Sequence, residues 1–242
     1  MQERHIDIQT THGSMNTFIV HPEEDGPYPV IVFYMDAPGK REELHDMARR
    51  IAAVGYYVVL PNLYYRDERE FHLGMPNATR ERMFELMNNL SNALICEDTG
   101  AIFDFLRGEE LADAGPVGVV GYCMSGPFVF AAAAAFPERI RATASLHGVR
   151  LFTEEDTSPH LTADKIQGEL YFGCAETDEW APPELIEKLD SHLGSTGIDF
   201  RIEWYPGTKH GFVFPDRDGI YVQDAAERHW ERLFAMWKRQ LS

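Results

Sequence analysis

Short, continuously apolar, β-branched runs alternate along this chain with segments of helical period, and that alternation constrains the fold more than any other feature. Pro29-Val30-Ile31-Val32-Phe33-Tyr34, Tyr56-Tyr57-Val58-Val59-Leu60 and Val117-Gly118-Val119-Val120 contain no charged side chain. A strand wetted on one face alternates apolar with polar residues, whereas one apolar at every position is covered on both faces. Between the first two runs Leu44, Met47, Ala48 and Ile51 recur at steps of three and four, with Gly55 as a stop. The same reading predicts a long helical region over 79–107, helices over 127–136 and 183–193, and strands over 142–146, 169–172 and 200–205. A closing helix carries Ala226, Trp230, Leu233, Phe234, Trp237 and Leu241 on one broad face. Strands alternating with helices imply an α/β fold, a mostly parallel central sheet with helices on both faces. Two strand-like runs ahead of it, around 6–9 and 16–20, are joined through Thr11-His12-Gly13-Ser14 and predict an N-terminal antiparallel hairpin. No repeat or linker divides the chain, so a single domain over 1–242 is expected.

Charge and cysteine usage exclude several function classes. The chain carries 39 acidic and 22 basic residues, a formal net charge of −17. A field of that sign disfavours nucleic acid and anionic membrane surfaces, which need a basic footprint. No apolar run approaches the ~20 residues of a membrane helix, and the start shows no apolar signal region. Cys96, Cys123 and Cys174 are an odd, sparse set without C-x-x-C spacing. They support neither a disulfide framework nor a zinc site. The expectation is a cytoplasmic protein in a reducing compartment, with no metal and no nucleic-acid or membrane partner.

In open parallel sheets the reactive residues collect on loops after the carboxyl ends of strands. Gly121-Tyr122-Cys123-Met124-Ser125-Gly126 follows the third strand and opens a helix. Small residues two before and two after a central nucleophile are what a sharp strand-to-helix turn requires. The central residue is Cys123, where the helix N-terminus favours a thiolate. A small buried cysteine in a tight turn gives the same pattern, and Ser125 is the other possible nucleophile, though its side chain should point away from the turn tip. Asp178 follows the strand at 169–172 and precedes a Pro-initiated helix, with Glu176 and Glu179 as rival carboxylates. His210 stands on the loop after the last strand, beside Gly211. Nucleophile, acid and His in that chain order is the order of the α/β-hydrolase fold. Among the other histidines His147 also stands at a strand end and is a candidate to line the pocket.

With these residues assembled, the chain resembles the dienelactone hydrolase family over essentially its whole length. The resemblance rests on Gly121 to Gly126, on the loop from Gly173 to Pro182 with Asp178 four residues before the proline, and on His210-Gly211-Phe212. Met35-Asp36-Ala37-Pro38-Gly39 and Pro61-Asn62-Leu63-Tyr64-Tyr65-Arg66 also look like segments of that family. It implies that Cys123 is the nucleophile, His210 the base and Asp178 the orienting acid of an ester or lactone hydrolase that forms a thiol acyl-enzyme. It further implies backbone oxyanion donors at Met124 and Ala37 and a carboxylate partner for the resting thiol at Asp36, where better-known members have Glu. Of two arginines that clamp a substrate carboxylate in the family, Arg80 matches one. Phe214 stands in place of the other, which implies substrates that are neutral or apolar near that ring. Tyr64, Phe84, His147, Trp180 and Phe214 are the candidate pocket aromatics. No cofactor is implied, the partner is a small-molecule substrate, and the expected state is a monomer or weak homo-oligomer. Two other classes fit parts of the pattern: an amidotransferase-like cysteine enzyme, which the late Asp178 and His210 segments disfavour, and a non-catalytic ligand binder on a hydrolase scaffold.

Overall fold

The computed structural model describes residues 1–241. Its strands are β1 (Gln2–Thr10), β2 (Gly13–His21), β3 (Tyr28–Tyr34), β4 (Tyr57–Pro61), β5 (Ala112–Tyr122), β6 (Ile140–Leu146), β7 (Glu169–Thr177) and β8 (Phe200–Lys209). They form one eight-stranded sheet in the order β1-β2-β4-β3-β5-β6-β7-β8. The first hairpin and its junction with β4 are antiparallel, and every pairing from β4 to β8 is parallel. The runs that read as doubly covered strands are so: Val30 to Tyr34 and Tyr57 to Leu60 have no solvent exposure.

The helices are α1 (Glu42–Ala52), α2 (Arg80–Asn88), α3 (Asn92–Leu106), α4 (Gly126–Ala135), α5 (Pro183–Gly194) and α6 (Gln223–Gln240). The helical region expected over 79–107 is two helices. Thr79 caps α2 by accepting the Arg82 amide, and Ser91 is extended and accepts the Leu94 amide, which starts α3 afresh. Two glycines of β5 show how the sheet is covered. A Cβ on Gly118 would strike Ile31 and Trp237 of α6, while one on Gly121 would lie 2.5 Å from the Ser125 carbonyl and against Val129 of α4. Residues three apart on a strand face opposite ways, so α6 and α4 lie on opposite faces. Arg50 of α1 pairs with Glu227 of α6 at 2.8 Å, while Phe103 of α3 meets Phe136 just past α4 edge-on.

Strand order reverses at β3, which has β4 on one side and β5 on the other. The crevice at the carboxyl ends of β3 and β5 is therefore the topological switch point, where such sheets bind ligands. Asp36 and Ala37 follow β3, and Cys123 follows β5.

Candidate active site

Cys123 leaves β5 at φ 55°, in the left-handed region, and begins a tight turn over Cys123–Ser125 that runs into α4. A non-glycine residue held there stores of order 1–3 kcal/mol of strain. The flanks show why the turn needs small residues. Besides the clash at Gly121, a Cβ on Gly126 would sit 2.5 Å from the Gly148 Cα. Ser125 is buried, and its hydroxyl donates to the Met35 carbonyl, away from the turn tip. Of the three thiols, Cys96 and Cys123 are partly exposed and Cys174 is buried. Burial pushes Cys96 up to about 11 and Cys174 up to about 12, so both are neutral thiols at physiological pH.

His210 and Asp178 meet across 32 residues of chain, with Nδ1 2.8 Å from Oδ2. The other carboxylate oxygen accepts the amides of Trp180 (2.9 Å) and Ala181 (3.2 Å), which fixes the Asp178 side chain before α5 begins. A carboxylate acceptor at Nδ1 places that proton on Nδ1 and turns Nε2 toward the cysteine side. Nε2 is buried, with no oxygen or nitrogen partner and the Cys123 sulfur beside it. Burial pulls the imidazole pKa down, but the bond to Asp178 and the adjacent Cys123 sulfur outweigh it, and the ring is pushed up to about 9. The rival carboxylates are elsewhere. Glu176 is exposed and accepts the Gly207 amide at 2.6 Å, and Glu179 is exposed.

Ala37, after β3, and Met124, in the turn after β5, come together from two loops. The Ala37 amide donates to no acceptor among the described residues. Met124 is second in its turn, where an amide has no acceptor within the turn. Tyr64 ties the two loops together: its hydroxyl donates to the Ala37 carbonyl at 2.8 Å and touches Met124 Sδ at 3.3 Å. It is buried, so it braces the loops and does not present its ring to a pocket.

Asp36 is placed differently from the expectation of a thiol partner. Its carboxylate is fully buried and held by the guanidiniums of Arg41 and Arg217, the latter at 2.8 Å. Arg41 also bonds Glu43, whose other oxygen accepts the Asp216 amide at 2.8 Å. Asp36 has no hydrogen bond to Cys123, because arginines claim both its oxygens.

Phe214 overturns the substrate reading built on it. It is fully buried. Its ring packs against Tyr122 and His147, and Arg217 lies over it at 4.6 Å and Arg41 at 5.3 Å. The turn from Phe212 to Arg217 folds it inward, where an aromatic ring between two guanidiniums gains both burial and cation–π attraction. His147 is likewise buried, with its ring 4.8 Å from that of His210 and both nitrogens unpartnered. Burial, then the neighbouring His210 and Arg217, hold its pKa well below the ordinary value, so it is neutral. Phe84 and Trp180 remain at the surface, 6.4 Å apart, Trp180 being 56% exposed. Arg80 is exposed at the start of α2, one turn before Phe84.

Two features had no local signal in sequence. Arg217 reaches Asp36 from a loop 181 residues away. A cleft of about 170 Å³ opens beside Met124, between the end of α2, the start of α4 and the loop around Val149. Among the described residues no three or more His, Cys, Asp or Glu side chains cluster as metal ligands.

The model of the dienelactone hydrolase family matches residues 15–241. A Synechocystis sp. protein described as "Putative carboxymethylenebutenolidase" is 28% identical, the match covering 98% of this chain and 99% of that protein. The Rhodococcus opacus carboxymethylenebutenolidase is 26% identical over 98% of this chain and 93% of its own. A Klebsiella pneumoniae crystal structure described as "Putative Dienelactone Hydrolase" superposes with a TM-score of 0.87 at 22% identity, covering 98% of each chain, a likeness of fold. The sheet order, the tight strand-to-helix turn at the switch point and the extent of these matches agree: the chain belongs to the dienelactone hydrolase family, carboxylic ester hydrolases of the α/β-hydrolase fold.

Proposed function

We propose that this protein hydrolyses a small ester or lactone through a thiol acyl-enzyme on Cys123, with His210 as proton carrier and Asp178 as its orienting acid. The observation that carries the proposal is one conjunction. A cysteine held at φ 55° on a strand-to-helix turn shares a site with a histidine whose Nδ1 is fixed 2.8 Å from a buried carboxylate and whose Nε2 has the cysteine sulfur beside it and no other partner. Nothing in the packing of a non-catalytic binder calls for that strain together with a buried nitrogen left to a sulfur alone.

In the proposed cycle Cys123 Sγ attacks the ester carbonyl carbon as the thiolate, with the proton on His210 Nε2. The carbonyl oxygen becomes an oxyanion held by the Ala37 and Met124 amides. Donors of this kind are worth ~2.7–4 kcal/mol each in the transition state. The C–O bond breaks, Nε2–H protonates the leaving alkoxide, and a thioester remains. In a lactone the alkoxide stays tethered to the acyl group. Neutral Nε2 then takes a proton from water as its oxygen attacks the thioester, and the acid leaves with the sulfur as thiolate and the ring as imidazolium. Asp178 holds the ring in one tautomer through both steps.

The test is alkylation. One equivalent of iodoacetamide should abolish hydrolysis of 4-nitrophenyl acetate, with the adduct on Cys123 by peptide mapping. Activity loss with the label confined to Cys96 or Cys174 overturns the assignment, as does full turnover by Cys123→Ala.

A further inference from the structure

The cleft beside Met124 adjoins the turn that carries Cys123. Met124 follows Cys123 in the chain, and Val149, which also lines the cleft, donates its amide to the Cys123 carbonyl at 3.1 Å. Its apolar lining is Met87 and Leu90 from the end of α2, Met124, Pro127 and Phe128 from the start of α4, and Val149. Every charged side chain and most polar ones at its rim are already engaged within the protein. Arg150 is paired with Glu155 at 2.6 Å. Asn92 donates its side-chain amide to the Thr157 carbonyl at 2.8 Å, and Ser91 accepts the Leu94 amide at 3.2 Å. Ser158 accepts the Thr153 amide at 3.0 Å and bonds His160 at 2.7 Å.

From this arrangement we infer that the cleft is the acyl pocket and selects an uncharged, apolar acyl chain of about six carbons, since a cavity of about 150 Å³ accommodates a benzene ring and this one measures about 170 Å³. A carboxylate at the end of such a chain meets a single cation in the lining, Arg150, and has to compete for it with Glu155. Otherwise it leaves water without a replacement partner, which is costly. A hydrocarbon chain loses nothing and gains burial, worth about 0.8 kcal/mol per methylene. The inference rests on the thiol-hydrolase reading above and adds the substrate class to it.

The experiment is a chain-length series of 4-nitrophenyl esters: acetate, butyrate, hexanoate and decanoate, with the adipate monoester as the carboxylate-tipped match to hexanoate. Expected kcat/KM rises about fourfold per methylene up to hexanoate, stops rising by decanoate, and is at least tenfold lower for the adipate monoester than for hexanoate. Asn88→Trp, an exposed position at the rim, should cut the hexanoate-to-acetate ratio at least tenfold by filling the cleft. Met87→Ala should move the optimum to longer chains. A wild type that handles acetate as well as hexanoate, or prefers the adipate monoester, overturns the inference. So does a ratio that neither variant moves. Iodoacetamide separates this failure from that of the nucleophile assignment. A flat profile in an enzyme silenced by label on Cys123 discards the pocket and keeps the thiol. A hexanoate preference that survives in Cys123→Ala discards the thiol and keeps the pocket.

Discussion

Two aspartates stand at the carboxyl ends of parallel strands on either side of the switch point, and the structure uses them in opposite ways. Asp178, after β7, gives one oxygen to two backbone amides and the other to an imidazole. Asp36, after β3, gives both oxygens to guanidiniums. Both are buried. Backbone amides can hold a carboxylate while leaving it free to orient a group that must exchange protons. Arginines neutralise the charge outright and turn it into a fixed post between α1 and the loop after β8. Location at a strand end thus marks where chemistry can occur, but the identity of the partner decides whether a carboxylate is left able to orient a group that exchanges protons.

The largest expected difference between the two lies in turnover. Asp178→Asn keeps an oxygen for the Trp180 and Ala181 amides but presents an NH₂ toward His210 Nδ1. Two donors cannot share that contact, so the ring adopts the tautomer with its proton on Nε2 and loses the base. A fall in kcat of about 10⁴-fold with little change in melting temperature is expected, since the orienting Asp of a Ser-His-Asp triad costs that much. Steady-state kinetics and a thermal melt on the same sample check it. A variant within tenfold of wild type, with Glu176→Gln or Glu179→Gln inactive instead, would move the acid to another carboxylate.

Asp36→Asn should show the reverse balance. The substitution leaves the half-buried Arg41 and Arg217 facing a neutral amide, Arg41 retaining Glu43 and the Gly39 carbonyl. Removing one partner from a buried ion pair costs about 3–5 kcal/mol. Denaturant melts should register that loss, while kcat at a temperature where the variant is folded should fall far less than in Asp178→Asn. Equal losses of kcat in the two variants would give Asp36 a direct part in the chemistry.

The same contrast explains how much was legible in the sequence. The sheet, its hairpin and the positions of Cys123, Asp178 and His210 follow from periodicity and from small residues at fixed offsets, which are local signals. The break between α2 and α3 was written locally too, in Ser91 as a cap, but a run of helix formers on either side obscured it. The fates of Asp36 and Phe214 were not local. They depend on Arg217, which lies three residues after Phe214 yet pairs with a residue at the far end of the chain. An aromatic side chain next to a catalytic loop reads as pocket until the turn that buries it is known. Substitution makes this concrete: Phe214→Arg should unfold the protein or lower its melting temperature sharply, by placing a third cation beside Arg41 and Arg217. Phe214→Leu should cost about 1–3 kcal/mol and leave the preference between neutral and carboxylated esters unchanged. A shift of that preference in Phe214→Leu would return the ring to the substrate.

The smallest expected effect is also the one that separates the two carboxylates most directly, because only one of them is paired with a group that titrates near neutrality. His210 holds its proton to about 9 in the folded protein, against about 6.5 in an unfolded chain. Between those values the folded state binds a proton that the unfolded state has released. By linkage the stability this supplies is complete below about pH 6.5 and drains away as pH rises through about 9. Its ceiling is about 3 kcal/mol, from 1.36 kcal/mol per unit. Arg41 and Arg217 keep their charge throughout, so the Asp36 centre contributes a constant amount over the same range. His147 and His229 are held below the ordinary histidine range by burial, His229 down to about 3, so their contributions change only on the acid side. The melting temperature of wild type minus that of Asp178→Asn should therefore be larger at pH 6 than at pH 9, whereas wild type minus Asp36→Asn should be the same at both. A constant difference for Asp178→Asn would mean that the imidazole is not charged against Asp178 in the resting protein, and the thiolate–imidazolium start of the proposed cycle would give way to a neutral thiol activated only when substrate binds.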